Sequence, residues 1–455
     1  MGRLFGTDGI RGLANHPPMT ADMALKIGRA VAIYFKAEGR TGIIIGKDTR
    51  LSGDMLESAL VAGICSAGVD VYLTGVIPTP AVAYLTRSLS AAAGIVISAS
   101  HNPYQDNGIK VFKGDGFKLS DQTEATIEQL IADDAAMAKG LCADAIGRIR
   151  HLKDAGERYI NFLQKGFPQG LPLSGYKIII DCSNGATHLV APALFKAMGA
   201  SCEALFICPD GKNINKDCGS QHTESLSKRV LETGAALGLA FDGDGDRLIA
   251  VDEKGESVTG DQLLCICARH ALGCGQLRNR RVVSTVMSNI GMGIAMKSLG
   301  IDHLCSDVGD RYVVEKMIES DAAIGGEDSG HMIFMDHHTT GDGMFSALKL
   351  LEAVIRSNRP LSKLKGVMDL FPQVLINVSV VEKVDIGTIP EIVDAIANVE
   401  SELAEKGRVL VRYSGTQPLL RVMVEGPTPE LTGACCERIA VAVKKSIGVM
   451  DRAIQ

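Results

Sequence analysis

The chain has 455 residues, 46% of them apolar and 22% charged, with a formal net charge of −6. At roughly 150 residues per domain this is an ordinary globular composition with room for about three domains. The negative balance disfavours a nucleic-acid or anionic-membrane surface, which needs a basic face, and no apolar run approaches the ~18 residues of a membrane span.

In chain order, the first feature is Phe5-Gly6-Thr7-Asp8-Gly9-Ile10-Arg11-Gly12. Its three glycines and its Arg suit an ordered loop with Arg11 as a phosphate contact, or a plain turn with a solvated Arg. No basic-then-apolar leader precedes it, which gives the expectation of a cytoplasmic protein. Short β-branched runs follow at 42–45, 69–73 and 94–97, then at 177–180, 237–241 and 281–286. Amphipathic stretches at 54–67, 189–198 and 291–299 alternate with them. That rhythm predicts βαβ units with mostly parallel sheets. It restarts near 150–175 and again near 255–280, so three similar α/β units in series are expected. After a linker near 367–371, strands at 373–380, 408–411 and 419–424 and helices at 390–406 and 429–446 predict a smaller α+β domain. The twelve cysteines are scattered without zinc spacing and are expected to be reduced, buried, small apolar residues.

The run at 94–97 leads into Ser98-Ala99-Ser100-His101-Asn102-Pro103. A strand that exits into a polar turn is where α/β sheets place their sites, and Pro103 holds Asn102 out of the helical region. An ordinary Ser/Asn/Pro turn uses the same residues, and no Gly-x-Ser-x-Gly elbow supports a hydrolase. The run at 237–241 leads into Asp242-Gly243-Asp244-Gly245-Asp246-Arg247. Three carboxylates drawn to about 5 Å repel by roughly 3 kcal/mol per pair at an effective dielectric near 20, so a converged cluster calls for a hard divalent cation, Mg²⁺ or Ca²⁺. An EF-hand is a poor match, because Arg247 stands where the loop needs glycine; a solvated acidic turn remains open. Gly325-Gly326-Glu327-Asp328-Ser329-Gly330-His331 suits a polyhydroxylated ligand or a surface turn. Arg412-Tyr413-Ser414-Gly415-Thr416-Gln417-Pro418, with Arg421, holds the ingredients of a phosphate cradle and equally those of a tight turn.

Taken together, these five segments resemble the α-D-phosphohexomutase family, over nearly the whole chain. The segments 98–103 and 242–247 are the specific motifs, and the others occur in the family's order. Tyr104-Gln105-Asp106-Asn107-Gly108-Ile109-Lys110, Gly309-Asp310-Arg311-Tyr312-Val313 and Thr339-Thr340-Gly341-Asp342-Gly343 point within it to a hexosamine phosphate substrate, with neutral hexose phosphates as the alternative.

The resemblance implies four domains around one central cleft: 1–150 with a phosphoserine loop, 151–253 with a Mg²⁺ loop, 254–367 with a sugar loop and 368–455 with a phosphate loop. It implies exchange of glucosamine 6-phosphate and glucosamine 1-phosphate, through a phosphorylated Ser100 and a 1,6-bisphosphate. By matching position, Ser100 is catalytic and, with Asp242, Asp244 and Asp246, holds one Mg²⁺. Lys110 and Arg11 stand near the reacting oxygen. Arg247, Glu327, Ser329 and His331 meet the sugar. Arg412, Ser414, Gly415, Thr416 and Arg421 hold the phosphate that is not transferred. A kinase or autophosphorylation is expected to activate Ser100, and a homodimer is compatible with the family. Asp328 replaces a usual Gln and Gln417 a usual Glu; the Asp328 carboxylate is expected to favour a protonated 2-amino group.

Overall fold

Ile43–Lys47, Ala93–Ile97 and Leu237–Phe241 are strands in which nearly every residue is buried. Continuous apolar runs of this kind suit strands covered on both faces. A computed structural model describes residues 4–6, 8–139, 141–413 and 418–448. These form two units, Met1–Met287 with Gly300–Val367, and Ser288–Leu299 with Met368–Gln455.

The larger unit holds three mixed sheets. The first runs Ile10–Leu13, Asp106–Lys113, Ala93–Ile97, Ile43–Lys47, Val71–Val76, Ile149–His151. The second runs Ser257–Val258, Leu248–Asp252, Leu237–Phe241, Lys177–Asp181, Ser201–Leu205, and the third Asp302–Ser306, Arg281–Thr285, Ile324–Gly326, Met332–Phe334. All three share one device: parallel strands end in an antiparallel return. Ala93–Ile97 pairs back with Asp106–Lys113, Leu237–Phe241 with Leu248–Asp252, and Ile324–Gly326 with Met332–Phe334. The runs read from the sequence omit Asp106–Lys113, whose glycine and charges mask its alternation.

Helices Ala21–Ala37 and Gly53–Ser66 bury Ile27, Val31, Leu60 and Ile64 against Ile43, Ile45, Ile95 and Ile97 in one continuous core. Two helix starts bear on the site. Helix Gly260–Gly273 opens with a Thr259–Gln262 capping box, and helix Gly343–Ser357 opens with Asp342 accepting from the Phe345 N–H. Each occupies amide donors that a helix start leaves unpaired.

The smaller unit has an antiparallel sheet ordered Gln373–Ser379, Leu419–Glu425, Arg408–Tyr413, with helices Pro390–Leu403 and Pro429–Ile447 on its core. Helix Ile290–Ser298, read from the sequence with the third α/β segment, packs with this unit. Six cysteines are buried, but Cys142, Cys208, Cys274 and Cys305 are exposed, so the expected burial holds for only part of the set. No helix among the described residues is long and apolar enough to cross a membrane.

Candidate active site

Each antiparallel return in the larger unit carries one of the motifs. Ser100 lies in the first, with the left-handed backbone angle φ = 53° and only 1% exposure. A serine in that conformation costs on the order of 1–3 kcal/mol unless its surroundings hold it. They do so on several sides. The Ser100 N–H donates to Ser98 Oγ at 2.9 Å, and its carbonyl accepts from Arg50 Nη2 and Asn215 Nδ2, each at 2.9 Å. Arg50 is fully buried. It also donates to the carbonyls of Asn102 at 2.8 Å and Asp106 at 3.0 Å, and to that of Pro103. Its Nε donates to Asp48 at 2.8 Å, and Asp48 accepts the Ser98 hydroxyl at 2.6 Å. Burial pushes the Asp48 carboxyl up against the pull of Arg50.

The second return brings three carboxylates to the serine. Ser100 Oγ donates to Asp242 Oδ2 at 2.6 Å. Asp242, Asp244 and Asp246 are all buried and offer oxygens within 4.8 Å of one another. Burial and then repulsion from Asp246 and Asp244 hold the Asp242 carboxyl well above its usual range. Burial opposes ionisation of Asp246 too, but Lys110 and His331 outweigh it, so that carboxyl is held well below. Asp244 Oδ1 and Asp246 Oδ1 are buried and accept no hydrogen bond among the described residues. Two orphaned carboxylate oxygens beside a third carboxylate and a hydroxyl form an all-oxygen donor set that fits a hard cation.

The Lys110 ammonium sits against this cluster, 2.9 Å from Asp244, 3.1 Å from Asp8 and 3.5 Å from Asp246. Burial opposes its charge, yet these three carboxylates raise its pKa above the usual value. Thr79 Oγ1 adds a bond to Asp244 at 2.6 Å.

A cleft of about 450 Å³ opens beside Asp246, lined among others by Arg11, Arg247, Asp310, Glu327 and His331. Ser100, Asp242 and Asp244 are buried next to it. Arg11 pairs with Asp8, and Lys118 bridges Asp8 and Asp310. Arg247 stands 3.8 Å from Asp246, and its backbone N–H donates to Asp242 Oδ1 at 3.2 Å. Glu327 accepts from the Gly309 N–H at 3.1 Å. His331 places Nδ1 3.7 Å from Asp246 and Nε2 3.6 Å from Asp310; burial lowers its pKa, and the carboxylates raise it by more. Ser329 is exposed and does not line the cleft.

Asp328 is exposed as well. Its Oδ1 accepts from the Asp261 N–H at 3.2 Å, in the first turn of helix Gly260–Gly273. One oxygen of that carboxylate thus serves a helix start.

In the smaller unit, Arg412 and Arg421 are direct cross-strand partners. Like charges placed opposite one another are unfavourable without an anion, and Arg421 Nε is buried without an acceptor among the described residues. Ser414, Gly415 and Thr416 lie outside the described residues, as does Gln417.

Four profiles of one family match in succession. Phosphoglucomutase/phosphomannomutase α/β/α domain I matches residues 2–137, domain II 157–255, domain III 259–371 and the C-terminal domain 375–442. The chain belongs to the phosphoglucomutase/phosphomannomutase family. Among its curated relatives, a phosphoglucosamine mutase from Syntrophobacter fumaroxidans is 56% identical over 98% of this chain and 100% of its own. One of the same name from Syntrophus aciditrophicus is also 56% identical, with the same coverage. A crystal structure of a family protein from Burkholderia thailandensis superposes with a TM-score of 0.80 at 25% identity, covering 98% of this chain and 99% of that one.

Membership in this mutase family agrees with the resemblance read from the five motifs and with the α/β architecture. The site also contains residues outside the quoted segments, Asp48, Arg50, Thr79, Lys118 and Asn215, and two inside them that were given no role, Asp8 and Asp310. His101 stands 3.3 Å from Ser100 Oγ through Nδ1, and burial followed by Arg247 and Arg11 lowers its pKa to about 4.

Proposed function

We propose that the protein interconverts glucosamine 6-phosphate and glucosamine 1-phosphate through a phosphorylated Ser100. The product feeds UDP-N-acetylglucosamine and cell-wall precursor synthesis. The observation that carries this reading is the 2.6 Å contact between Ser100 Oγ and Asp242, inside a cluster of three buried aspartates.

Asp242, Asp244 and Asp246, with an oxygen on residue 100, would hold one Mg²⁺. When bound, that ion offsets phosphoryl charge and polarises the phosphoryl oxygens. Phosphoryl transfer passes through a loose transition state, so positioning and charge compensation supply most of the catalysis. The Arg50 and Asn215 bonds support a Ser100 held in one orientation. Lys110, 2.9 Å from Asp244, is assigned to charge compensation or proton transfer at the reacting oxygen. The substrate's free hydroxyl attacks the phosphorus, the bond from phosphorus to the serine oxygen breaks, the hydroxyl proton passes to the freed serine oxygen, and a 1,6-bisphosphate results. After turning around, this intermediate returns its other phosphate to Ser100.

Arg11, Arg247, Glu327 and His331 are assigned to the sugar phosphate because they line the cleft, and Ser329 to the same loop. Arg412 and Arg421, with 414–416, are assigned to the phosphate not being transferred. Four domains at 1–150, 151–253, 254–367 and 368–455, a cytoplasmic location, activation by a kinase or by autophosphorylation, and a homodimer complete the proposal.

Mass spectrometry of the purified protein tests it. A fraction of molecules should carry about 80 Da, one phosphoryl group, on Ser100. The Ser100→Ala variant should fold but lose turnover of glucosamine phosphates. Full activity in that variant refutes the phosphoserine, and a preference for glucose or mannose phosphates in the unsubstituted protein refutes the substrate.

A further inference from the structure

A second cavity of about 570 Å³ lies in the larger unit and shares no lining residue with the Ser100 cleft. Its walls are the end of helix Ala155–Lys165, helix Gly260–Gly273, the hairpin Ile324–Gly326 with Met332–Phe334, and helix Gly343–Ser357. At its base Glu352, 2% exposed, takes three basic side chains: Lys349 Nζ at 3.1 Å, Arg356 Nε at 3.2 Å and His270 Nε2 at 3.3 Å. Burial pushes that carboxyl up, and His270 and Lys349 outweigh the push, so it is held at about 2. Glu352 is thus a permanent anion that fixes its cations in place.

The charges do not balance. Lys165, Lys349 and Arg356 face the cavity, against Glu352 and Asp336. Asp336 shares Arg278 with Asp321, at 2.7 and 2.9 Å. One positive charge is therefore in surplus before His270 is counted. The remaining wall is apolar, with Phe167, Phe334 and Ile324. A cavity of this size, with an apolar wall and converging cations, has the character of a small-ligand site.

The two helices that supply the cations also reach the catalytic loops. Tyr159, on the helix that ends in Lys165, donates its hydroxyl to Asp342 Oδ2 at 2.8 Å. Asp342 caps the helix that carries Lys349 and Arg356, and the first residue of that helix, Gly343, donates its N–H to the Gly245 carbonyl at 3.0 Å. Gly245 lies between Asp244 and Asp246.

We propose that this cavity is an effector site for a small anion, a phosphate, sulfonate or carboxylate borne on a flat apolar body, and that its occupancy alters turnover at Ser100 through these two helices.

The probe is 8-anilinonaphthalene-1-sulfonate, which combines a sulfonate with aromatic rings, titrated into the full chain by fluorescence and calorimetry. The expected result is one site per chain, a change in mutase turnover on saturation, and at least tenfold weaker binding to the Lys165→Met/Arg356→Met double variant, with the turnover response lost. Both side chains are exposed, at 46% for Arg356, and the Lys349–Glu352–His270 cluster stays intact, so basal turnover should be retained. If the double variant does not fold, each single variant is measured and should weaken binding at least threefold. Absence of binding, binding unaffected by the substitutions, or saturation without effect on turnover each overturns the proposal.

Discussion

Replacing Arg50 by methionine tests how the nucleophile is held. The side chain has no exposed surface, nor has that of its partner Asp48. Methionine keeps much of the volume and removes both the charge and the fork. Breaking a buried pair from one side costs about 3–5 kcal/mol, because the other charge is left uncompensated. Four carbonyls also lose a donor, although those of Ser100 and Asn102 keep Asn215, at 2.9 and 3.1 Å. The folded state should therefore lose about 3–5 kcal/mol, a large share of the 5–15 kcal/mol that typically separates native from unfolded protein. Turnover should fall further than the folded fraction does, because of the bonds named above the 102–106 segment would keep only that from Asn215 to the Asn102 carbonyl.

The pH dependence has a definite sign. Burial already raises Asp48 above its usual carboxylate value, and loss of Arg50 raises it more. For an acid whose folded pKa lies above its unfolded one, the penalty is full above the folded pKa and is relieved as pH falls through it. The deficit of Arg50→Met should be largest near pH 8 and shrink toward pH 5. Arg50→Lys should recover part of the stability but little of the turnover, since a point charge cannot serve several carbonyls at once. Urea denaturation at several pH values, with kcat measured in parallel, reads all of this. A variant within about 1 kcal/mol of the original protein, well below the buried-pair cost, refutes the reasoning, as does a deficit that grows on acidification.

Two further substitutions test neighbouring parts. Asp328→Ala should cost about 0.5–2 kcal/mol, the worth of a lost helix-start acceptor, and leave the preference for glucosamine over glucose phosphates within twofold; a changed preference in steady-state kinetics restores a sugar role. Gly243→Ala should lower kcat at least tenfold with a smaller effect on KM, because a Cβ there meets the Ser100 carbonyl oxygen at 2.6 Å; unchanged kcat shows that this approach does not set the serine's position.

What the sequence made legible follows from how local each signal is. The aspartates at 242, 244 and 246 are spaced so that one turn must gather them, and Ser100 follows directly on a buried run. Both could be read without knowing any partner. Arg50 and Asn215 could not. They lie 50 and 115 residues from Ser100, and nothing in Asp48-Thr49-Arg50 shows that its side chains turn inward to bind carbonyls. Asp328 was read from its place in the 325–331 motif as a contact for a 2-amino group, and the motif did not show that the turn at 327–330 sends its carboxylate and that of Glu327 to different partners. The antiparallel returns were only partly legible, because a βαβ rhythm describes the strands before the return and says little about the strand after it.

Those returns explain why the motifs are rich in small residues. A parallel strand followed by an antiparallel one turns its loop back at the sheet's end, and three such loops come from three separate sheets. They reach one another through backbone. Gly243 of the aspartate loop packs on the Ser100 carbonyl, and a Cβ on Gly330 of the third loop, at φ = 88°, would lie 2.2 Å from the Leu248 carbonyl oxygen. Leu248 in turn donates its N–H to the Gly330 carbonyl at 3.0 Å. Side-chain contacts can adjust by a rotamer, whereas backbone against backbone leaves little slack. The separation between Ser100 Oγ and Asp242 is therefore set by packing between loops that belong to different sheets. The glycines in each motif then serve the neighbouring loop as much as their own turn, and this is why the motifs carry weight as a set and little weight one at a time.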